Sequence, residues 1–280
     1  MNKQAIALTF DIETLYGSYL NKSKNGGKVK YEYLINEVDH ILRICSDSGV
    51  KASFFVVGNL VKEYKDLIRR IADEGHEIAS HSMSHAFFYT LDRAGIRAEI
   101  MDSKSILEDL CGCHIKGFRA PAWSITNDNQ DIFYDALAES GFIYSSSVFP
   151  GKTPLFGIPG ANPKPHIAKN GIIEFPMPTF KLFGKRMGFS GGFFFRLFPE
   201  ILISRVHRNY QRRNAPLFYY FHPYEFDVCD YSFIEPLLSR IIVMHNRRNL
   251  TPRVKRLTQE NNGLFCTMHQ ALDSYFPTSS

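Results

Sequence analysis

The chain has 280 residues, 44% hydrophobic and 22% charged, with a formal net charge of +5. That composition excludes a collagen-like, disordered or disulfide-scaffold chain and supplies ample material for a packed core. No Pro/Gly/Ser linker divides it and no fixed-period repeat runs through it, so one domain over 1–280 is expected.

The N-terminal stretch "MNKQAIALTFDIET" lacks the apolar core and small-residue cleavage site of a signal peptide, and no apolar run approaches ~18 residues. The expectation is a cytoplasmic protein without a membrane-spanning helix. "QAIALTF" (4–10) reads as a buried strand. In "YEYLINEVDHILRICSDSG" Leu34, Val38, Ile41, Leu42 and Cys45 recur at helical spacing, and Gly49 can end the helix. "ASFFVVG" (52–58) is a second strand. Asn59 is expected to cap the next helix, whose apolar face is Val61, Tyr64, Leu67, Ile68 and Ile71. "HEIAS" (76–80) is a third strand, 91–111 a long helix and "IKGFR" (115–119) a fourth strand. A helix with Asn127 and Gln130 in a capping-box-like start runs to Gly141, and "FIYSSSV" (142–148) follows as a strand.

From about 150 to 197 Gly, Pro and aromatic residues are frequent and helical periodicity disappears, which reads as an insertion with one strand, "GIIEFPM" (171–177). Beyond it come a helix (198–213), the strand "LFYYF" (217–221), a helix (232–248) and a last strand "GLFCTM" (263–268). Alternating strands and helices predict an α/β fold with parallel strands, a barrel of about seven units. A doubly wound sheet is the alternative, but no Gly-rich nucleotide loop follows the first strand.

Five cysteines at unpatterned spacings, with Cys111 and Cys113 as C-x-C, read as reduced structural thiols. Two basic groupings stand out: Arg205, Arg208, Arg212 and Arg213, then Arg247, Arg248, Arg253, Lys255 and Arg256. No nucleic-acid motif accompanies them, so they read as a solvated basic face or as an attractor of phosphate or an anionic membrane.

The polar residues cluster by position. Asp11 and Glu13 sit where the first strand ends, His81 follows the third, Arg119 closes the fourth and His222 follows "LFYYF". Barrel enzymes assemble their chemistry at these C-terminal strand ends. Asp11 and Glu13, two apart on an extended segment, point to one side. His81 and His85, four apart, are expected as neighbours on one helical face. Two imidazoles plus a carboxylate is a catalytic zinc set with a position left open, and such a metal lowers the pKa of water and polarises a carbonyl. The motif is not H-E-x-x-H, because Ser82 occupies the glutamate position. The second carboxylate would stay free as a general base, a histidine could protonate the leaving group, and an arginine could hold the base. This suits hydrolysis of an amide or ester.

The runs "ALTFDIE", "GHEIASHSMSH", "GFRAPAWSIT", "YSSSVFP" and "FYYFHPYEFD" together resemble the polysaccharide deacetylase family, carbohydrate esterase family four, with its nodulation-protein homology domain. The resemblance spans roughly residues 5–225, and "FGIPGA" and "EFPMPTFKLFGKRMGFSGGFFFRLFP" look like its bacterial exopolysaccharide and lipopolysaccharide biosynthesis branch. The family implies a distorted (β/α) barrel and a divalent metal, zinc first, with cobalt, nickel or manganese as alternatives. Its activity is the removal of N-acetyl groups from amino sugars. Carried over, Asp11 is the base, Arg119 positions it, and His222 is the general acid. Glu13, His81 and His85 are the metal ligands. The amide just after Pro121 would help hold the oxyanion, and Trp123 would line the substrate site. Two positions depart from the family pattern. Ile12 separates Asp11 from Glu13 where many members have adjacent aspartates. Ser145 stands near the place of a motif-four aspartate, which leaves Glu225 and Asp227 as candidate partners of His222.

Three readings fit "GFSGGFFFRLFPEILI" (188–203): core packing by Phe193, Phe194, Phe195, Leu197 and Phe198, a flap over the barrel mouth with Arg196 reaching an anionic group of the substrate, or shallow inner-membrane contact. A cytoplasmic deacetylase would act on a nucleotide-linked or polyprenyl-phosphate-linked amino sugar. The rivals are a deformylase or cyclic amide hydrolase of the same fold, and a catalytically inactive sugar-binding barrel.

Overall fold

The computed structural model of the protein describes residues 4–14, 32–153, 156–226 and 237–276. In chain order its elements are β1 (Ile6–Ile12), α1 (Glu32–Asp47), β2 (Ser53–Val56), α2 (Val61–Asp73), β3 (Glu77–Ser80), α3 (Arg93–Cys111) and β4 (Gly117–Phe118). Next come α4 (Gln130–Glu139), β5 (Tyr144–Ser145), β6 (His166–Ile167), β7 (Ile173–Glu174), β8 (Thr179–Leu182), β9 (Lys185–Gly188), α5 (Gly192–Leu197) and α6 (Glu200–Arg212). The chain closes with β10 (Leu217–Phe221), α7 (Leu237–Met244), α8 (Leu250–Glu260), β11 (Phe265–Cys266) and α9 (Met268–Tyr275).

Parallel pairing in the order β10-β1-β2-β3-β4-β5-β7 builds a curled sheet, the expected α/β barrel in partly open form. β6 adds an antiparallel edge on β7, and β11 pairs with β1 in parallel. The edge at β10 is covered by the segment before α5, where Ser190 O accepts from Tyr220 N–H at 3.1 Å and Gly191 bridges to Tyr220.

Period-two alternation decides what faces the interior. Along β1, Ile6, Leu8, Phe10 and Ile12 join the outer core against the helices, and Ala7 faces the inner cluster. Along β10, Leu217, Tyr219 and Phe221 face outward while Phe218 and Tyr220 face in. The same parity carries Thr9, Asp11 and Glu13, and then His222, to the inside. α9 closes the N-terminal end of the barrel with Met268, Ala271 and Leu272, and its Met268 N–H donates to Ser53 Oγ at 2.7 Å. The opposite end is left for the polar residues.

The helices follow from their apolar spacing, with local differences. α2 is preceded by a single tight turn, Gly58–Leu60, and Asn59 does not cap it; its backbone N–H instead donates to Met83 O at 2.8 Å. α4 starts at Asn129 rather than Asn127, and Asn129 Oδ1 accepts from Thr126 N–H at 2.8 Å. α3 is capped by Asp92 Oδ1 on Gly95 N–H at 2.8 Å. The 150–197 segment holds more structure than its composition predicts. It supplies β7 and β6 to the main sheet, and β8 and β9 form a separate hairpin. That hairpin turns at Phe183 and Gly184, φ 47° and 76°, the sign pair of a type I′ turn.

Among the described residues no helix is long and apolar enough to cross a membrane, and Cys45, Cys111, Cys113 and Cys266 are free thiols. The second basic grouping is largely spent within the chain. Arg253 and Arg256 pair with Glu200 and Lys255 with Asp47.

Among the described glycines Gly191 has the tightest surroundings: a Cβ there would lie 1.9 Å from Tyr220 O. Its φ of 169° is ordinary extended backbone, so the constraint is space alone. Gly191→Ala should therefore destabilise the protein by roughly 1–3 kcal/mol, as overpacking does, measured by urea unfolding. An unchanged midpoint would mean that the segment does not sit against β10.

Candidate active site

A cavity of about 420 Å³ opens at the C-terminal ends of the strands, with Asp11, Glu13, His81, His85, Arg119 and His222 in its wall. The structure thus brings together all six residues that the sequence proposes as catalytic groups and metal ligands.

Glu13 lies at the centre. Its Oε2 is in close contact with His85 Nε2 and 3.9 Å from His81 Nε2, and its Oε1 is 4.0 Å from His222 Nε2. Burial opposes ionisation of Glu13, but the charge and hydrogen bond of His85 outweigh it, and its pKa is lowered. The His81 pKa falls well below the usual imidazole value because of burial and then the neighbouring His85. Burial also disfavours charge on His85, but the Glu13 carboxylate outweighs it and raises the pKa.

His81 and His85 do not share a helical face. They lie on a loop after β3 in which Ser82 and His85 have positive φ, 67° and 64°. The loop is held by Glu99 of α3, whose carboxylate accepts from Met83 N–H at 2.9 Å and Ser84 N–H at 2.8 Å. Ser82 Oγ accepts from His85 N–H at 3.0 Å, so the residue in the metalloprotease glutamate position shapes the loop.

Glu13, His81 and His85 each offer one ligand atom, all within 4.8 Å of one another. The donor set fits a divalent metal. His81 Nδ1 is 2.8 Å from Arg119 O, and a carbonyl can only accept, so Nδ1 carries the proton and Nε2 presents its lone pair. His85 Nε2 faces Glu13 Oε2, and its Nδ1 is buried without a hydrogen-bond partner among the described residues. A carboxylate oxygen and two imidazole nitrogens brought this close in a buried site are a donor set that a shared cation would use.

Asp11 is 2% exposed and accepts from Arg119 Nη1 at 2.6 Å. Arg119 also donates to Thr9 Oγ1 at 3.0 Å and Ser146 Oγ at 3.2 Å. Its guanidinium lies 4.0 Å from the Phe55 ring centroid and 5.0 Å from that of Phe218. Pairing, hydrogen bonds and aromatic faces together permit this buried charge.

After Pro121 the chain enters a strained turn, with Ala122 at φ 50° and Trp123 at φ 47°. Ala122 and Trp123 line the cavity; Pro121 is buried beside them. The Trp123 ring packs edge-on to Tyr220 at 4.7 Å, and its indole N–H is buried without a partner among the described residues. Phe193 and Phe194 of α5 also line the cavity, whereas Phe195 is buried in the core. The aromatic segment therefore both packs and walls the site.

Arg196 lines the cavity, but its donors are turned to the protein. It is 2% exposed, and the anion it meets is Glu225, through Nε at 2.8 Å to Oε1. Glu225 Oε2 in turn lies 3.0 Å from His222 Nδ1. Burial would raise the Glu225 pKa, but Arg196 and His222 hold it at about 2. Burial would lower the His222 pKa, but Glu225 raises it to about 9. Of the two candidate partners of His222, Glu225 makes the contact and Asp227 lies outside the described residues. Ser145 spends its hydroxyl on Ser147 Oγ at 2.8 Å. Sequence reasoning overlooked Glu99 and Glu174. Glu174 accepts from the backbone N–H groups of Ser147 and Val148 at 2.8 and 2.9 Å, and an acidic residue inside the apolar run "GIIEFPM" was the available signal.

Comparison with known proteins matches residues 1–136 to the polysaccharide deacetylase family model, and residues 146–273 to a second model described as a domain of unknown function, DUF3473. A chitooligosaccharide deacetylase of Rhizobium leguminosarum bv. trifolii is 38% identical over 71 residues, 25% of this chain and 33% of that protein. The chain spans about a third of the length of the first curated relatives it matches. Among solved structures, a candidate polysaccharide deacetylase from Mycobacterium smegmatis superposes with a TM-score of 0.65 at 21% identity, covering 98% of this chain and 91% of that one. The PuuE allantoinase superposes at 0.63 and 14% identity, covering 98% and 91%. At such identities these two structures speak for the fold alone.

Two outcomes follow from the site. Purified protein should carry a near-stoichiometric divalent metal by elemental analysis, lost in both His81→Ala and Glu13→Ala; retention in either would remove that residue from the ligand set. The Glu225–His222 pair should also shape stability against pH. Glu225, at about 2 against an ordinary 4.5, adds stability that is complete above pH 4.5 and lost as pH falls through 2. His222, raised from 6.5 to about 9, adds stability complete below pH 6.5 and lost as pH rises through 9. The melting-temperature gap between wild type and Glu225→Gln should be widest between pH 4.5 and 6.5. A gap independent of pH would contradict the pairing.

Proposed function

The chain carries a polysaccharide deacetylase domain of carbohydrate esterase family four over residues 1–136, and from that premise we propose that the protein is a metal-dependent hydrolase that removes the N-acetyl group from an amino sugar. The observation that carries this reading is the arrangement around Glu13. A Glu/His/His ligand set lies beside a carboxylate paired with arginine and a histidine paired with glutamate. Those are the parts that amide hydrolysis needs.

Glu13, His81 Nε2 and His85 Nε2 would hold the metal, zinc first; when bound it lowers the pKa of water and polarises the amide carbonyl. Asp11 takes the proton from the attacking water. Arg119 keeps Asp11 in place while Phe55 and Phe218 exclude solvent from the pair. The amide N–H of Ala122, just after Pro121, stabilises the developing oxyanion. His222 gives a proton from Nε2 to the departing nitrogen, and the aromatic walls at Trp123, Phe193 and Phe194 fit the face of a sugar ring.

The substrate we propose is an amino sugar linked to a nucleotide or a polyprenyl phosphate, deacetylated at the cytoplasmic side during assembly of surface polysaccharide or lipopolysaccharide. The sequence resemblance to that branch supports this assignment.

The test is hydrolysis by metal-reconstituted protein of a panel of acetylated, formylated and cyclic amide substrates, read as acetate, formate and ring-opened product, the acetylated sugars offered free, nucleotide-linked and polyprenyl-phosphate-linked. Acetylated amino sugars should be hydrolysed, and Asp11→Asn should lower kcat by on the order of 10²–10⁴, the usual range for a general base. Turnover of only formyl or cyclic substrates would move the protein to another C–N hydrolase class. Undiminished function in Asp11→Asn would make it a binding barrel.

A further inference from the structure

If His222 is to deliver a proton from Nε2, its other nitrogen needs an acceptor that stays fixed and stays ionised throughout the step. Glu225 meets both conditions in a way that the local sequence "HPYE" does not reveal. Its Oε2 accepts from His222 Nδ1 at 3.0 Å and from the backbone N–H of the same residue at 2.9 Å. The carboxylate therefore holds ring and main chain together. The His222 ring is also stacked on Tyr224, with centroids 5.0 Å apart and planes within 12°. Glu225 is 1% exposed, so without a counter-charge its ionisation would be costly.

That counter-charge comes from another element. Arg196 of α5 donates through Nε to Glu225 Oε1 at 2.8 Å. Its remaining nitrogens are occupied by backbone carbonyls at the end of α7: Nη2 donates to Ile242 O at 3.0 Å, and Nη1 to Val243 O at 3.1 Å and to His245 O. A helix C-terminus has unpaired carbonyls and favours a cation. Arg196 is thus oriented by a second helix, with each of its three nitrogens donating to the protein. Asn246 Nδ2 adds a bond to Arg196 O at 3.0 Å, tying α5 to the same turn.

We propose that Glu225 is the positioning residue for His222 and that Arg196, seated on the C-terminal turn of α7, fixes Glu225. This relay from α7 to the imidazole would set the acid step of the reaction. It rests on the deacetylase reading. In that step the Nε2–H bond breaks as the proton passes to the amide nitrogen of the tetrahedral adduct. The C–N bond then breaks with its electron pair staying on the amine, and Glu225 remains a carboxylate. This assigns Arg196 away from the substrate and gives a reason for an arginine in an otherwise aromatic segment.

The experiment compares one amide and one activated ester, an N-acetylated amino sugar and p-nitrophenyl acetate, in wild type, Glu225→Gln and Arg196→Lys. Departure of p-nitrophenolate needs no proton, so only the amide should depend on the relay. Glu225→Gln should lose about 10²-fold in kcat on the amide with little change in KM, and stay within about 3-fold of wild type on the ester. Arg196→Lys, which keeps the charge and loses the fork, should fall between wild type and Glu225→Gln on the amide, and it carries the test if Glu225→Gln does not fold. Equal losses on both substrates, or none on either, would overturn the proposal. A wild type inactive on both would sink the deacetylase reading instead. The positioning is then read from histidine-labelled NMR: the Nδ1–H proton of His222 should lie far downfield in wild type and move upfield in Glu225→Gln, because a neutral acceptor bonds more weakly. An unmoved signal would overturn the positioning.

Discussion

A buried charge must be paired, and in this barrel the pairing of Asp11 with Arg119 is the constraint that organises the interior. The pair crosses from β1 to the end of β4 and is clamped to β5's following loop through Ser146. Breaking it by removing either partner would leave an uncompensated charge in an apolar enclosure, typically worth about 3–5 kcal/mol. The same contact fixes two further features. The Arg119 carbonyl sets the tautomer of His81, and the Arg119 side chain holds the carboxylate that stands beside Glu13. Structure and chemistry therefore share one bond network.

Around that network the fold works by parity. One register of β1 places Thr9, Asp11 and Glu13 inside and Ile6, Leu8, Phe10 and Ile12 outside. A slip of one residue would turn the carboxylates into the helix layer. Parallel strands then deliver His81, Arg119 and His222 to the same end of the barrel from three other strands, while α9 fills the opposite end. At the end that carries the chemistry, residues of α5 and α7 wall a cavity.

Much of this was legible in the sequence. The strands "QAIALTF" and "LFYYF" declared themselves by length and apolar content, and polar residues at their ends marked the site. What was hidden is physically explicable. The His81–His85 spacing imitates a helix because four-residue spacing also fits a loop in which Ser82 and His85 take positive φ. The β8–β9 hairpin lacks the Asn-Gly signal of its turn and has Phe183-Gly184 in its place. Arg196 seemed free to meet a substrate because the sequence cannot show that Glu225 and the α7 carbonyls consume its donors. Long-range pairing of that kind joins residues 29 positions or more apart, beyond any local pattern.

The proposed chemistry depends on Glu13, His81 and His85 holding a metal ion. The measurement that addresses it most directly is anomalous diffraction from crystals of the purified protein, recorded on both sides of the zinc absorption edge. A single strong peak is expected, bonded to one Glu13 oxygen, His81 Nε2 and His85 Nε2, with Asp11 and His222 close by and unligated. No peak at that position after zinc soaking, or a peak held by Asp11 in place of Glu13, would contradict it.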